Sequence, residues 1–205
     1  MTPPRLAPAG ARLVVRETGS DHRLPGGNTG GMVAVRLREW DRGDAAAIAS
    51  VLIDPQVLKW SHIAELGVER WIAEQREGRR GPSMAVCDAG DEHVLGKVAL
   101  RLPGKASPAT SCDAIGSGDH PVGELSYWVL PHARGRGVAT AAVVAMLDLA
   151  REAGEVRAVV LDIEADNVPS IRVAQRVGAT RRQPERIECD RRGIPRTMAV
   201  FIVKL

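Results

Sequence analysis

The chain has 205 residues, 44% of them hydrophobic and 26% charged, with a formal net charge of +3. That suits one domain with a sizeable core and is too short for two large ones. No stretch approaches the roughly 18 apolar residues of a membrane-spanning helix, and the start MTPPRLAPAG lacks the apolar segment of a secretory signal. Cys87, Cys112 and Cys189 are odd in number and far apart. They fit neither a disulfide framework nor a zinc pattern, which predicts a reduced, cytoplasmic protein with no metal site. Residues 1–31 carry four arginines against Glu17 and Asp21, so the rest of the chain is nearly neutral and nothing calls for nucleic acid or a membrane surface.

Residues 1–31 are rich in Pro, Gly and Arg without apolar periodicity, and read as a disordered tail before a domain over 32–205. From Met32, which is itself a possible start, MVAVRLREW alternates as a half-buried strand does. Asp41 or Asp44 suits the N-cap of a helix over AAAIASVL that ends near Pro55. A second helix, GVERWIAEQREGR, buries Trp71 and Ile72. SMAVCDA and HVLGKVALRL, joined by AGDE, read as a β-hairpin. Residues 103–121 form a Gly-, Ser- and Pro-rich loop. A strand (GELSYWVL), a long helix (136–153), a strand (RAVVLDIE) and a helix (NVPSIRVAQRVG) follow. A last hairpin pairs PERIECD with TMAVFIVKL across RRGIP.

The order is strand, two helices, three strands, helix, strand, helix and two strands. It predicts an α+β (mixed α/β) class: one mixed, mostly antiparallel sheet of about seven strands with four helices, the fourth and fifth strands being parallel in a right-handed β-α-β unit.

The segment VLPHARGRGVATAAVVAMLDLA is where chemistry is expected. Pro131 ends the ladder because it has no N–H. Gly135 and Gly137 permit positive φ and close approach of a ligand. A helix begins there, so several amides lack helical acceptors at the positive end of its dipole, a place suited to phosphate. Arg134 and Arg136 add charged donors. A plain glycine turn with solvated arginines is the simpler reading of the same residues. A Walker A loop is excluded because no G-K-S/T occurs. A dinucleotide fingerprint fits poorly: Asp162 ends the next strand, but the third glycine position is Thr140.

With Asp54-Pro55, Lys59-Trp60, GELSYWVLP, RGRGVAT, Asn167-x-x-Ser170 and Val177-Gly178-Ala179 in this order, residues 32–205 resemble the GNAT acetyltransferase superfamily, in its ribosomal-protein-alanine N-acetyltransferase (RimJ/RimL-like) branch. The resemblance implies the acyl-CoA N-acyltransferase fold and acetyl-CoA as cosubstrate. It also implies that backbone groups of Val129 and Leu130 bind the pantetheine arm and thioester. The amides of Arg134, Gly135, Arg136, Gly137, Val138, Ala139 and Thr140 would hold the pyrophosphate, and Asn167 would contact the cosubstrate near its thiol end. Asn167 equally suits a helix N-cap. A homodimer is implied only by the resemblance.

Acyl transfer to an amine needs a neutral amine, a donor for the oxyanion and a proton for the sulfur. Many relatives supply that proton from a tyrosine; its position here is Ala174. Following the branch, Ser170 is the candidate near the sulfur; it also suits a first-turn helix residue that caps backbone N–H groups. Glu124 is the candidate base, on the strand face it shares with Ser126, Trp128 and Leu130; a charge at the solvated start of the strand is the simpler reading of the same residue. The amine is expected to enter between the first two helices and the last hairpin. Trp60, Trp71 and the 103–121 loop lie on that side, although Trp71 at helical spacing reads better as core. Glu188 and Asp190 could receive a cationic substrate, or equally form a solvated hairpin face matched by the nearby arginines. The acceptor stays open between a protein N-terminus, a small amine and an antibiotic amine. A non-catalytic acyl-CoA-binding module, or an unrelated nucleotide-binding or interaction domain, also remains.

Overall fold

The computed structural model describes residues 33–90, 92–103 and 121–205. The expected tail over 1–31 and most of the 103–121 loop lie outside the described residues. Among the described residues seven strands form one sheet: β1 (Val35–Arg38), β2 (Ser83–Asp88), β3 (Val94–Arg101), β4 (Val122–Val129), β5 (Ala158–Glu164), β6 (Thr180–Cys189) and β7 (Pro195–Lys204). Their order across the sheet is β1-β2-β3-β4-β5-β7-β6. Among the described strands only β4 and β5 run parallel; every other neighbouring pair is antiparallel. The expected class and the parallel pair are both present.

Six α-helical segments accompany the sheet among the described residues: α1 (Ala45–Ile48), α2 (Pro55–Leu58), α3 (Ile63–Leu66), α4 (Val68–Glu77), α5 (Val138–Ala153) and α6 (Val168–Arg176). The expected first helix is a broken run: a 3-10 turn at Arg42–Asp44, then α1, then a 3-10 turn at Ala49–Ile53. Asp41 starts it by accepting from Gly43 N–H at 2.8 Å, while Asp44 reaches back to Asp41 N–H at 2.8 Å. Both aspartates thus act together as a capping box. The single turns α2 and α3 come in addition to the helices that periodicity indicated.

Two apolar layers sandwich the sheet. On the back, α5 packs Val138, Ala142, Met146 and Ala150 against Leu125, Val159, Leu161 and Phe201, and α6 adds Val173 and Ala174. On the front, Trp40, Ile48, Val57, Ile63, Trp71 and Ile72 cover Ala85, Cys87, Val94 and Leu130. Trp71 is 2% exposed and meets Trp40 edge-on at 5.2 Å between centroids, so it is core. Period two along β4 therefore assigns its faces as expected: Leu125 to the back, Trp128 to the front.

Candidate active site

The backbone of β4 determines what the site offers. Leu130 donates its N–H to the Leu95 carbonyl at 2.8 Å. Hydrogen bonding alternates along an antiparallel pair, so Trp128, Ser126 and Glu124 likewise direct their backbone groups at β3. The odd residues Leu125, Tyr127 and Val129 direct theirs the other way, where β5 should lie. Yet β4 and β5 pair only at Val122–Ala158, Gly123–Val159 and Glu124–Val160. Beyond that point β4 runs on to Val129 beside β3 alone, and β5 runs on to Glu164 beside β7 alone. The parallel strands diverge, and a gap opens that is faced by the C=O of Leu125, both backbone groups of Tyr127 and the N–H of Val129.

This separates two residues that the sequence grouped together. Val129 faces the gap. Leu130 has its N–H on Leu95, and its carbonyl receives Ala133 N–H at 2.9 Å, so its backbone belongs to the scaffold.

At the open end, a 3-10 turn at Pro131–Ala133 leads into the turn that starts α5. Gly135 and Gly137 have φ of 75° and 83°, which only glycine adopts without strain. Among the described residues, a Cβ at either would meet nothing within 4 Å, so none of them fills the space over this turn. No side chain among the described residues caps α5. The first hydrogen bond back to the turn is donated by Ala141 to Gly137 O at 3.0 Å. The amides of Val138, Ala139 and Thr140 therefore precede the helical ladder. The Thr140 hydroxyl is buried and without a partner among the described residues. An anionic linker such as a pyrophosphate fits this set of donors.

The two arginines of the turn differ. Arg134 donates through Nε to Val129 O at 2.9 Å and through Nη2 to the buried carboxylate of Asp54. Its guanidinium braces the turn against β4 and α2. Arg136 remains the charged side chain of the turn over solvent.

Across the gap, Asn167 caps α6 by accepting from Ser170 N–H at 3.2 Å. The cap uses Oδ1, which leaves the side-chain NH2 for another acceptor. Tyr127, the sole tyrosine of the chain, reaches from β4 to donate to Ser170 O at 3.4 Å. Burial raises its phenol above the usual range, partly offset by that hydrogen bond. Ala174 is fully buried, as a packing residue.

On the front face, Glu124 sits where the strands still pair and is bridged to Arg101 of β3 at 3.0 Å. It lies five residues from Val129, about 17 Å along the strand. Two residues past the last β4–β5 pair stands Asp162, which sequence reading placed only in a poorly fitting dinucleotide motif. Its side chain is 9% exposed; Oδ2 holds Arg186 at 2.9 Å, and Oδ1 is buried with no partner among the described residues. Burial pushes its carboxyl up to about 6 against the pull of Arg186, with Glu188 and Glu124 adding to the rise. Two residues further on, Glu164 accepts from the Trp60 indole at 2.8 Å and from Lys59 at 3.0 Å.

The last hairpin closes the front side. Arg191 N–H donates to Lys59 O at 3.1 Å, and its guanidinium pairs with Glu65. Asp190 is fully committed: Arg196 at 2.9 Å, and the turn amides of Arg192 and Ile194 at 2.9 and 3.0 Å, take its oxygens. Glu188 is bridged to Arg186 at 3.0 Å. The two acids build the hairpin and its network.

Residues 34–180 match the family model of the acetyltransferase (GNAT) domain. No curated protein is significantly similar to the chain. Among solved structures, a GNAT-family acetyltransferase from Bacillus anthracis superposes with a TM-score of 0.65 at 16% identity, covering 83% of this chain and 94% of that one. Mycobacterium smegmatis RimJ in complex with CoA-disulfide gives 0.61 at 19%, covering 83% and 82%. The Salmonella typhimurium protein yncA with its cofactor acetyl-CoA gives 0.59 at 21%, covering 83% and 94%.

Proposed function

The chain belongs to the GNAT acetyltransferase family, and on that premise we propose that it moves an acetyl group from acetyl-CoA to a primary amine, with a protein N-terminal α-amine as the acceptor. The observation that carries this reading is the loss of β4–β5 pairing after Glu124–Val160, in line with an uncapped helix start at Gly137. A linear cosubstrate carrying a pyrophosphate and an amide-bearing arm has partners along that whole line. The amides from Gly135 to Thr140 take the pyrophosphate, with Arg136 adding charge. The N–H of Val129 takes the arm in the manner of a neighbouring strand, and the Asn167 NH2 contacts it near the thiol end. Arg134 and Leu130 hold this frame in shape.

In the reaction, the amine nitrogen bonds to the thioester carbon, the carbon–sulfur bond breaks, and the thiolate takes a proton. Ser170, at the first turn of α6, serves the sulfur. The proton lost by the amine goes to the front-face carboxylates around the point where the strands part, to which Glu124 belongs. An α-amine with a pKa near ~8 needs only a weak base, while a lysine near ~10.4 needs much more, which favours the α-amine. The cytoplasm, where nascent N-termini are found, is the compartment this acceptor requires. A homodimer is the assembly we propose with it.

The test is a thermal-shift series with acetyl-CoA, CoA and NAD, followed by thiol-release assays. The acceptors are peptides starting with alanine or serine, a lysine peptide, spermidine and an aminoglycoside. Stabilisation by acetyl-CoA and CoA with turnover of the α-amine peptides is expected. Stabilisation by NAD alone would remove the reading. Binding without turnover of any amine would indicate an acyl-CoA-binding module, and turnover of the aminoglycoside alone would move the acceptor to a small molecule.

A further inference from the structure

Resting on the transferase reading, we infer that Asp162 is the group that accepts the amine proton, with Glu124 in an electrostatic role beside it. The argument begins with position. Asp162 alternates with Leu161 and Ile163, which are buried in the back layer, so its side chain faces the front, as does that of Glu164. It stands between the last β4–β5 pair at Val160 and the Trp60–Glu164 contact. An amine arriving from the front to meet a thioester in the gap passes this segment of β5.

The second part is valence. Oδ2 is held by Arg186, which fixes the rotamer, while Oδ1 is buried with no partner among the described residues. A buried carboxylate oxygen without a donor is costly unless a ligand supplies one. An ammonium or amine N–H is such a donor. Glu124, by contrast, is bridged to Arg101.

The third part is electrostatic. Asp162 is faced by Arg186 and Glu188 from β6, by Glu124 with Arg101 behind it from β4 and β3, and by Glu164 with Lys59 further along. The neighbour from β7 is apolar Val200. Burial and the two nearer acids hold the carboxyl at about 6, where it is ionised at neutral pH yet basic enough to accept a proton. In the step, nitrogen bonds to the thioester carbon, an N–H bond breaks, and the proton passes to Oδ1. The carbon–sulfur electrons leave with the thiolate, which is protonated from the Ser170 side. Solvent then removes the proton from Asp162.

The experiment measures Asp162→Asn, Asp162→Glu and Glu124→Gln with the amine that gives the fastest thiol release in the wild type. It adds a 13C titration of the Asp162 carboxyl in the wild-type chain. Asp162→Asn should keep its thermal stabilisation by acetyl-CoA, lose kcat on the order of 10²-fold, and lose the limb of the kcat–pH profile near 6. Asp162→Glu should recover part of the rate, and the carboxyl should titrate near 6. Full kcat in Asp162→Asn overturns the proposal. So does a carboxyl that titrates near the ordinary ~4, or a limb near pH 6 that disappears in Glu124→Gln and persists in Asp162→Asn. A wild type that is not stabilised by acetyl-CoA and releases no thiol with any amine removes the transferase reading itself. A wild type that turns over beside an unimpaired Asp162→Asn removes this proposal alone.

Discussion

The indole N–H of Trp60 donates to Glu164 at 2.8 Å, joining the link after α2 to the far end of β5. The other end of α2 is tied to the opposite arm: Asp54 caps it through Gln56 N–H at 3.0 Å and pairs with Arg134, whose Nε holds Val129 O at the end of β4. Residues 54–60 thus form a strap across the mouth of the gap, anchored on β4 at one end and on β5 at the other. Width at the mouth is what the cosubstrate and the amine both depend on, so the strap is a positioning element.

Removing the β5 anchor tests it. Glu164→Ala leaves the Trp60 indole and the Lys59 ammonium without their acceptor, at a cost of about 1–3 kcal/mol. Calorimetry should show a melting temperature lower by several degrees. Steady-state kinetics should show a larger rise in KM for the amine than for acetyl-CoA, because the strap lies on the front. Equal rises in both would mean that the anchor supports the fold without shaping the front.

The strand-turn-helix at the heart of the site was legible because its signals are local. Period two placed Leu125 and Trp128 on opposite faces, and each face has its own apolar layer. The glycines of the turn do take positive φ. What was not legible depends on distant partners. Nothing near Arg134 indicates that its guanidinium would turn back to Asp54 and Val129 O. Asp162 looked like the end of a strand, and only the parting of β4 from β5 puts it beside the gap. Single turns such as α2 and α3 hold too few residues for a 3.6-residue period to register. For Asp190 the sequence left substrate binding and an arginine-matched hairpin face open, and Arg196 with the hairpin amides decides for the second.

Two substitutions at Gly137 separate backbone strain from ligand repulsion. The φ of this residue is 83°, and a methyl group added to its Cα would find nothing within 4 Å among the described residues. Gly137→Ala therefore meets no clash and suffers only the left-handed conformation, about 1–2 kcal/mol. Gly137→Glu carries similar strain and sets a carboxylate over the open turn. Both variants should melt a few degrees lower. Stabilisation by acetyl-CoA should persist in Gly137→Ala and vanish in Gly137→Glu; persistence in both would place the pyrophosphate elsewhere.

The two roles of Asn167 are separable in the same way. Asn167→Ala removes the acceptor for Ser170 N–H and should cost about 1 kcal/mol of stability. Asn167→Ser keeps a capping oxygen but has no NH2 group. If that group touches the cosubstrate, the serine variant will melt near the wild type yet lose affinity for acetyl-CoA by several-fold in titration calorimetry. Unchanged affinity would leave Asn167 as a cap alone.

Lys97, on the front face of β3 opposite Trp128, carries a charge the fold does not favour. Burial, and then the charge of Arg101, lower its pKa from 10.5 to about 8. The Trp71 ring, 5.8 Å from Nζ, recovers part of the cost through its π-face. The folded state binds this proton less tightly than the unfolded chain, so the group's penalty is full below pH 8. It fades between 8 and 10.5, and is gone where both states are neutral. Lys97→Met keeps the stem and removes the charge. It should raise stability at pH 7 by about 1–3 kcal/mol, the lower part of that range allowing for the partial exposure of the residue. Urea unfolding of both chains from pH 7 to 10.5 should show that advantage shrinking as pH rises. A gap that stays constant across the range would mean that Lys97 is not charged against its surroundings.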